Sequence, residues 1–229
     1  MLFKRFRNKS SKRDISPFYD KGFHGDSYLI ELVDFLIRDS DYFIETGTNV
    51  GSTLAYIAGN YPMMKCLSCE PDKSAFDEAV KNVNGLSNVL VYNMTSQEFI
   101  NHLMKEKIAI FKKKCLFWLD AHGYGFRWPL KDEIKFITSN FKHGYILIDD
   151  FKVPDIEKFK WDKYEDQECS FDFIRDSINR EIRYSLYYPC YTERTSKHHA
   201  LTGWGLIDFG HDRELEIPDK LKDKIKKGS

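Results

Sequence analysis

Residues 45–53 read ETGTNVGST, an acid followed by two glycines and a Ser-Thr pair. Gly47 and Gly51 would let the backbone approach a ligand closely, and a turn from strand into helix aims amide N–H groups at an anion. Phosphate is nevertheless a poor fit. The spacing is G-x-x-x-G where a dinucleotide site has G-x-G-x-x-G, the phosphate-loop lysine is missing, and Glu45 stands near the helix end, where its charge repels phosphate. A nucleoside with few or no phosphates and a cationic group suits the loop better. Glu45 or backbone carbonyls would hold the cation and the helix N-terminus a carboxylate, with Thr46 and Thr53 on the same turn. Glu70 closes the next strand, where an acid in a nucleotide-binding unit accepts hydrogen bonds from ribose hydroxyls. The plainer alternative is a strand-to-helix turn capped by Ser52 or Thr53.

Further acids follow in FWLDAHG and YILIDDF, which put Asp120 at one strand end and Asp149 with Asp150 at the next. Three converging carboxylates repel one another unless protons or a cation neutralise them, and an all-oxygen set suits Mg²⁺, the first choice, or Ca²⁺. Otherwise Asp120 faces the cofactor while Asp149 and Asp150 cap a turn. His122, two residues past Asp120, is the nearest base for a hydroxyl proton, since imidazole titrates near neutrality; the alternative is that it merely ends a turn. Arg194, Lys197, His198 and His199 would form a loop closing over a substrate, or an exposed polar loop. Tyr124, Phe126 and Trp128 would stack on an acceptor or cover a helix-sheet seam. Trp161, Trp204 and the tyrosines of 184–191 read as packing.

Positioning these groups falls to alternating elements. SYLIELVDFLIRDS (27–40) carries helical apolar spacing, and DYFIETG follows as a strand. The alternation continues through STLAYIAGNY, KCLSCE, KSAFDEAVKNV, NVLVYN, SQEFINHLMKEKIAIF, KCLFWLD, PLKDEIKFITSNF and GYILIDD. Strands separated by helices of this length build right-handed crossovers and a parallel sheet covered on both faces. The expected fold is α/β, doubly wound and Rossmann-like. Beyond residue 150, FDFIRDSINREI reads as a helix, and YSLYYPCY with LTGWGLIDFG as two antiparallel edge strands. A single domain over 1–229 is expected, with a basic extension over 1–24, a cofactor-binding core over 25–150, and substrate-side and edge elements over 151–229.

Lys plus Arg and Asp plus Glu number 35 each, so net charge argues for neither nucleic acid nor an anionic membrane as partner. No run approaches a membrane span, and the basic start MLFKRFRNKSSKR lacks the apolar segment of a signal peptide. That start and KLKDKIKKGS read as solvated ends. The five cysteines are odd in number, and the C-x-x-C of Cys66 and Cys69 lies in an apparent buried strand without a second pair at zinc-ribbon spacing. Reduced thiols in a cytoplasmic protein follow.

Here the chain resembles class I S-adenosylmethionine-dependent methyltransferases: FIETGTNVGST is similar to their first motif, SCEPD to the acidic end of their second strand, and NVLVYNMTS to the segment lining the adenine. The resemblance covers roughly residues 25–150 and implies Thr95 or Ser96 near the adenine amino group. S-adenosylmethionine is a nucleoside with no phosphate and a cationic group, as the loop requires. The acids on strands four and five resemble those of metal-dependent O-methyltransferases acting on catechols and sugars, which implies a divalent ion at Asp120, Asp149 and Asp150. The catechol type often carries Asn at the last acid and Lys after the first; Asp150 and Gly123 stand there instead. The expected activity is methylation of a hydroxyl on a small polar acceptor, a sugar or glycoconjugate precursor before a catechol. The rivals are an N- or nucleic-acid methyltransferase, disfavoured because DAHG is not an aromatic-Pro motif, a degenerate binding module, and an NAD oxidoreductase. A homodimer is compatible with the sequence, which does not specify oligomeric state.

Overall fold

The computed structural model describes residues 19–106, 108–122, 128–196 and 199–228. The strands β1 (Tyr42–Thr46), β2 (Lys65–Cys69), β3 (Val89–Tyr92), β4 (Cys115–Leu119) and β5 (Gly144–Ile148) alternate with the helices α1 (Ser27–Ile37), α2 (Ser52–Asn60), α3 (Lys73–Asn82), α4 (Ser96–Glu106) and α5 (Leu130–Asn140). A hairpin of β6 (Lys163–Tyr164) and β7 (Gln167–Glu168), a helical turn α6 (Phe171–Ile174), and the strands β8 (Tyr184–Pro189), β9 (Gly205–Phe209) and β10 (Ile225–Lys227) complete the chain. The main sheet has the order β10-β8-β9-β5-β4-β1-β2-β3. β1 to β5 pair in parallel, and β9, β8 and β10 add antiparallel beyond β5. The mostly parallel, Rossmann-like sheet with an antiparallel C-terminal edge is therefore as the sequence predicts.

Strand order reverses beside β1: the chain runs outward through β2 and β3, then returns to β4 on the other side of β1. Ligands in such sheets bind beyond the carboxyl strand ends at that reversal. ETGTNVGST leaves β1 and DAHG leaves β4 at this place.

Local sequence explains the framework. β4 and β5 are buried along their whole length, as apolar runs without alternation require. Asp26 caps α1 by accepting from the amides of Tyr28 and Leu29, and the helix buries Leu29, Leu32, Val33, Leu36 and Ile37 on one stripe. Asp72 caps α3 in the same way. At α4, Thr95 and Glu98 form a reciprocal capping box, with Glu98 Oε2 accepting from the Thr95 amide at 2.8 Å.

Three segments depart from expectation. FDFIRDSINREI gives only α6 and one 3₁₀ turn, Arg175–Ser177, because the Asn179 amide donates to Thr138 Oγ1 of α5 at 3.0 Å and draws the chain off the helical path. The C-terminal segment is not wholly solvated, since Ile225–Lys227 pairs with β8. Within the expected N-terminal extension, Gly22 and Phe23 are likewise buried, the Phe23 ring lying 4.9 Å from that of Trp118 and 6.0 Å from that of Tyr56. Cys66 and Cys69 are both buried on β2, and Trp204 is buried with its indole N–H donated to the Tyr191 hydroxyl, both matching the packing reading. Among the described residues, no helix is long and apolar enough to cross a membrane.

Candidate functional site

A cavity of about 430 Å³ opens at the carboxyl ends of β1, β2 and β4, within the roughly 300–1,000 Å³ of small-molecule sites. Of the residues picked from sequence, Gly47, Glu70, Thr95, Ser96, Asp120 and His122 line it. Asn49, Asp72 and Gln97, which sequence reasoning passed over, line it too. Gly47 has φ +82°, and a Cβ there would lie 2.4 Å from the Asp120 carbonyl oxygen and 2.8 Å from the Ala121 amide nitrogen. The loops after β1 and β4 thus touch through a position that only glycine fills. Glu70 is held by two amides, Oε2 accepting from Asn49 N at 2.7 Å and Oε1 from Asp72 N at 2.9 Å. Each oxygen keeps a lone pair for a ligand hydroxyl. Asn93 braces the turn by donating to the carbonyls of Glu70 and Pro71.

Glu45, Thr46, Gly51 and Thr53 do not line this cavity. Gly51 starts α2 with φ +83° and no side-chain cap, so neither Ser52 nor Thr53 serves as one; Thr53 Oγ1 instead accepts from the Phe23 amide at 3.3 Å. Glu45 is 1 % exposed and accepts from Ser68 Oγ at 2.5 Å. Burial pushes its pKa up to about 8, against the hydrogen bond from Ser68 and with a smaller contribution from the charge of Glu70. It is therefore mostly uncharged at neutral pH, and its repulsion of phosphate is weaker than the sequence implies. Thr46, adjacent on the strand, is buried on the opposite face of the sheet.

The cavity runs into an acidic mouth. Leu119 of β4 pairs with Ile148 of β5, so Asp120 and Asp150 leave neighbouring strands together, and donor atoms of Asp120, His122 and Asp150 lie within 4.8 Å of one another. Asp149, expected in this group, instead places Oδ2 2.5 Å from His24 Nε2. Burial first, then the charges of Asp149 and Asp150, holds Asp120 well above the usual carboxylate range. Asp150 is pushed up to about 7 by burial and by Asp149 and Asp162, with His24 opposing. His24 rises to about 9, chiefly through the charge of Asp149 and against its own burial. Two carboxylates and an imidazole form a donor set fit for a divalent ion, and the nitrogen donor moves the preference from Mg²⁺ toward Mn²⁺, Fe²⁺ or Zn²⁺.

Asp162 and His24 escaped the sequence reading. Asp162 Oδ2 lies 3.7 Å from His122 Nδ1 and 3.4 Å from Trp128 Nε1, and its amide donates to the Asp150 carbonyl at 2.9 Å. It sits in the irregular stretch after β5, where no periodicity marks it, and His24 sits in what reads as a basic tail. The Trp128 ring meets Tyr164 and Phe173 edge-on at 4.9 and 5.2 Å, so it covers a seam while lining a small recess beside Asp120. The His199 ring is 5.3 Å from that of His24. Gly123, Tyr124, Phe126, Lys197 and His198 lie outside the described residues.

No protein-family model and no curated protein matches the chain. Solved structures do. An O-methyltransferase from Bacillus cereus in complex with SAH is similar at a TM-score of 0.56 and 15% identity, over 86% of this chain and 83% of that one. The O-methyltransferase TomG from Streptomyces achromogenes, involved in tomaymycin synthesis and in complex with SAM, gives 0.54 and 12%, over 79% and 78%. A SAM-dependent methyltransferase from Aquifex aeolicus gives 0.53 and 17%, over 85% and 94%. At these identities the likeness is one of fold, and the chain has the fold of the class I S-adenosylmethionine-dependent methyltransferases, as its glycine loop and strand-end acids led one to expect.

Proposed function

We propose that the protein transfers a methyl group from S-adenosylmethionine to a hydroxyl of a small polar acceptor, with a divalent cation held at Asp120, His122 and Asp150. The observation that carries this reading is the continuity of the site. One cavity has an amide-braced Glu70 on its wall and Asp120 with His122 at its other side, so a nucleoside and a hydroxyl activated at the acids would meet in a single space. Bound S-adenosylmethionine supplies an electrophilic methyl on a sulfonium, and a bound divalent cation lowers the pKa of a coordinated hydroxyl.

The chain's own residues do the rest. Glu70 accepts from the ribose diol, and Ser96 faces the base. Backbone carbonyls of the loop after β1 suit the methionine ammonium better than Glu45, which is buried away from the cavity. His122 would be the third donor to the cation, with Asp162, 3.7 Å from its Nδ1, orienting the ring, and the acceptor's hydroxyl proton would leave to solvent water. The polar mouth and Trp128 favour a sugar-like acceptor over a flat planar amine.

The test is transfer of labelled methyl from S-adenosylmethionine to a panel of sugars and catechols. Label in an ether methyl is expected, lost in chelator and restored by a divalent ion. His122→Ala removes one of the three cation donors and should lower activity most at limiting divalent ion. Full turnover in excess chelator would remove the cation and leave methyl transfer standing. Tight cofactor binding with no transfer to any acceptor would favour a binding module.

A further inference from the structure

We propose that Glu133 fixes the hydrogen-bond polarity of Ser96, so that the cavity accepts an exocyclic amino group and selects adenine over a 6-oxo purine. This rests on the adenosyl-cofactor reading above and adds a residue that does not itself line the cavity.

Two hydroxyls stand at the start of α4. That of Thr95 is spent locally: it donates to Glu98 Oε2 at 2.9 Å and accepts from the Glu98 amide at 3.3 Å. Ser96 is the one left to meet a base. It lines the cavity and donates its hydroxyl hydrogen to Glu133 Oε1. A hydroxyl has one hydrogen and two lone pairs. With the hydrogen committed behind it, Ser96 Oγ can present only lone pairs forward. An amino group at C6 of a purine satisfies them, whereas a carbonyl oxygen there meets them lone pair to lone pair.

Glu133 lies on the first turn of α5 and is 2 % exposed. Burying an acid is costly, and burial pushes this one up to about 7 despite the hydrogen bond from Ser96. An apolar side chain would fill the space at lower cost, among Ile44, Leu119 and Phe136, which line a recess with it. What such a residue could not do is accept the Ser96 hydrogen, and an ionised carboxylate has no donor with which to reverse that bond.

The experiment is calorimetric titration at pH 8.5, where Glu133 is ionised, with S-adenosylhomocysteine and with its inosine counterpart, S-inosylhomocysteine. Wild type should prefer the adenine ligand by at least about tenfold, as expected when a buried acceptor is left unsatisfied. Glu133→Leu should cut that preference several-fold with little loss of adenine affinity, because the freed hydroxyl turns either way. Ser96→Ala should also erase most of it, and decides the matter if the Glu133 variant does not fold. A merely structural role would weaken both ligands equally, and an unchanged ratio in the variants overturns the proposal. Tight wild-type binding without discrimination also overturns it while sparing the cofactor reading; binding of neither ligand overturns both.

Discussion

Replacing Glu45 by glutamine should make the protein more stable at alkaline pH. The carboxyl rises from its ordinary 4.5 to about 8 in the folded chain. Between those values the folded state keeps a proton that the unfolded state has released, so stability falls as pH rises, by about 1.4 kcal/mol per unit. Over the whole window the ceiling is roughly 5 kcal/mol. Local relaxation and water entry lower it, and about 2–4 kcal/mol is expected. Glutamine cannot ionise, and its carbonyl can still accept from Ser68. Urea unfolding of both proteins from pH 5.5 to 8.5 isolates the term, because Glu133 and Asp150, whose raised values act in the same direction, cancel in the difference. The variant should lead by about 1–1.5 kcal/mol at pH 5.5, one unit above the ordinary carboxyl value, and by the full amount at pH 8.5. A difference that is flat across this range, or that grows as pH falls, would refute the claim that Glu45 is buried and mostly neutral.

Two further outcomes follow from the site. Gly47→Ala forces a left-handed alanine onto the Asp120 carbonyl, so unfolding free energy should drop by about 2–4 kcal/mol and calorimetry should find cofactor binding largely lost; near-wild-type values would contradict the loop contact. Because the acid cluster includes an imidazole, Mn²⁺ should raise Tm more than Mg²⁺ at equal concentration, and Asp150→Asn should remove most of the Mn²⁺ shift; Mg²⁺ matching Mn²⁺ would argue for an all-oxygen site.

The framework was legible because its signals are local. Apolar runs without alternation marked β4 and β5, helical apolar spacing marked α1, and Gly47 marked a close approach, which proves to be that of one loop to another. The strand-end acids Glu70, Asp120 and Asp150 followed from strand position alone. What a strand end cannot tell is where a side chain turns. Glu45 reads as a charge at the loop but lies sealed behind Ser68, and Asp149 reads as one of an acidic pair but turns to His24. Asp162, His24 and Glu133 reach the site from an irregular loop, an N-terminal segment and a neighbouring helix, so only tertiary packing brings them there. β10 failed for a related reason: a short, lysine-rich strand has no pattern of its own and forms because β8 offers an open edge.

On the proposed function, the cavity beside Glu70 holds an adenosyl cofactor. Calorimetric titration of wild type and Glu70→Ala with S-adenosylmethionine and with NAD tests it most directly. Saturable S-adenosylmethionine binding, tighter than NAD and weakened at least about tenfold by loss of the charged acceptor, is the expected result. No heat at millimolar S-adenosylmethionine, tighter binding of NAD, or full affinity in Glu70→Ala would contradict it.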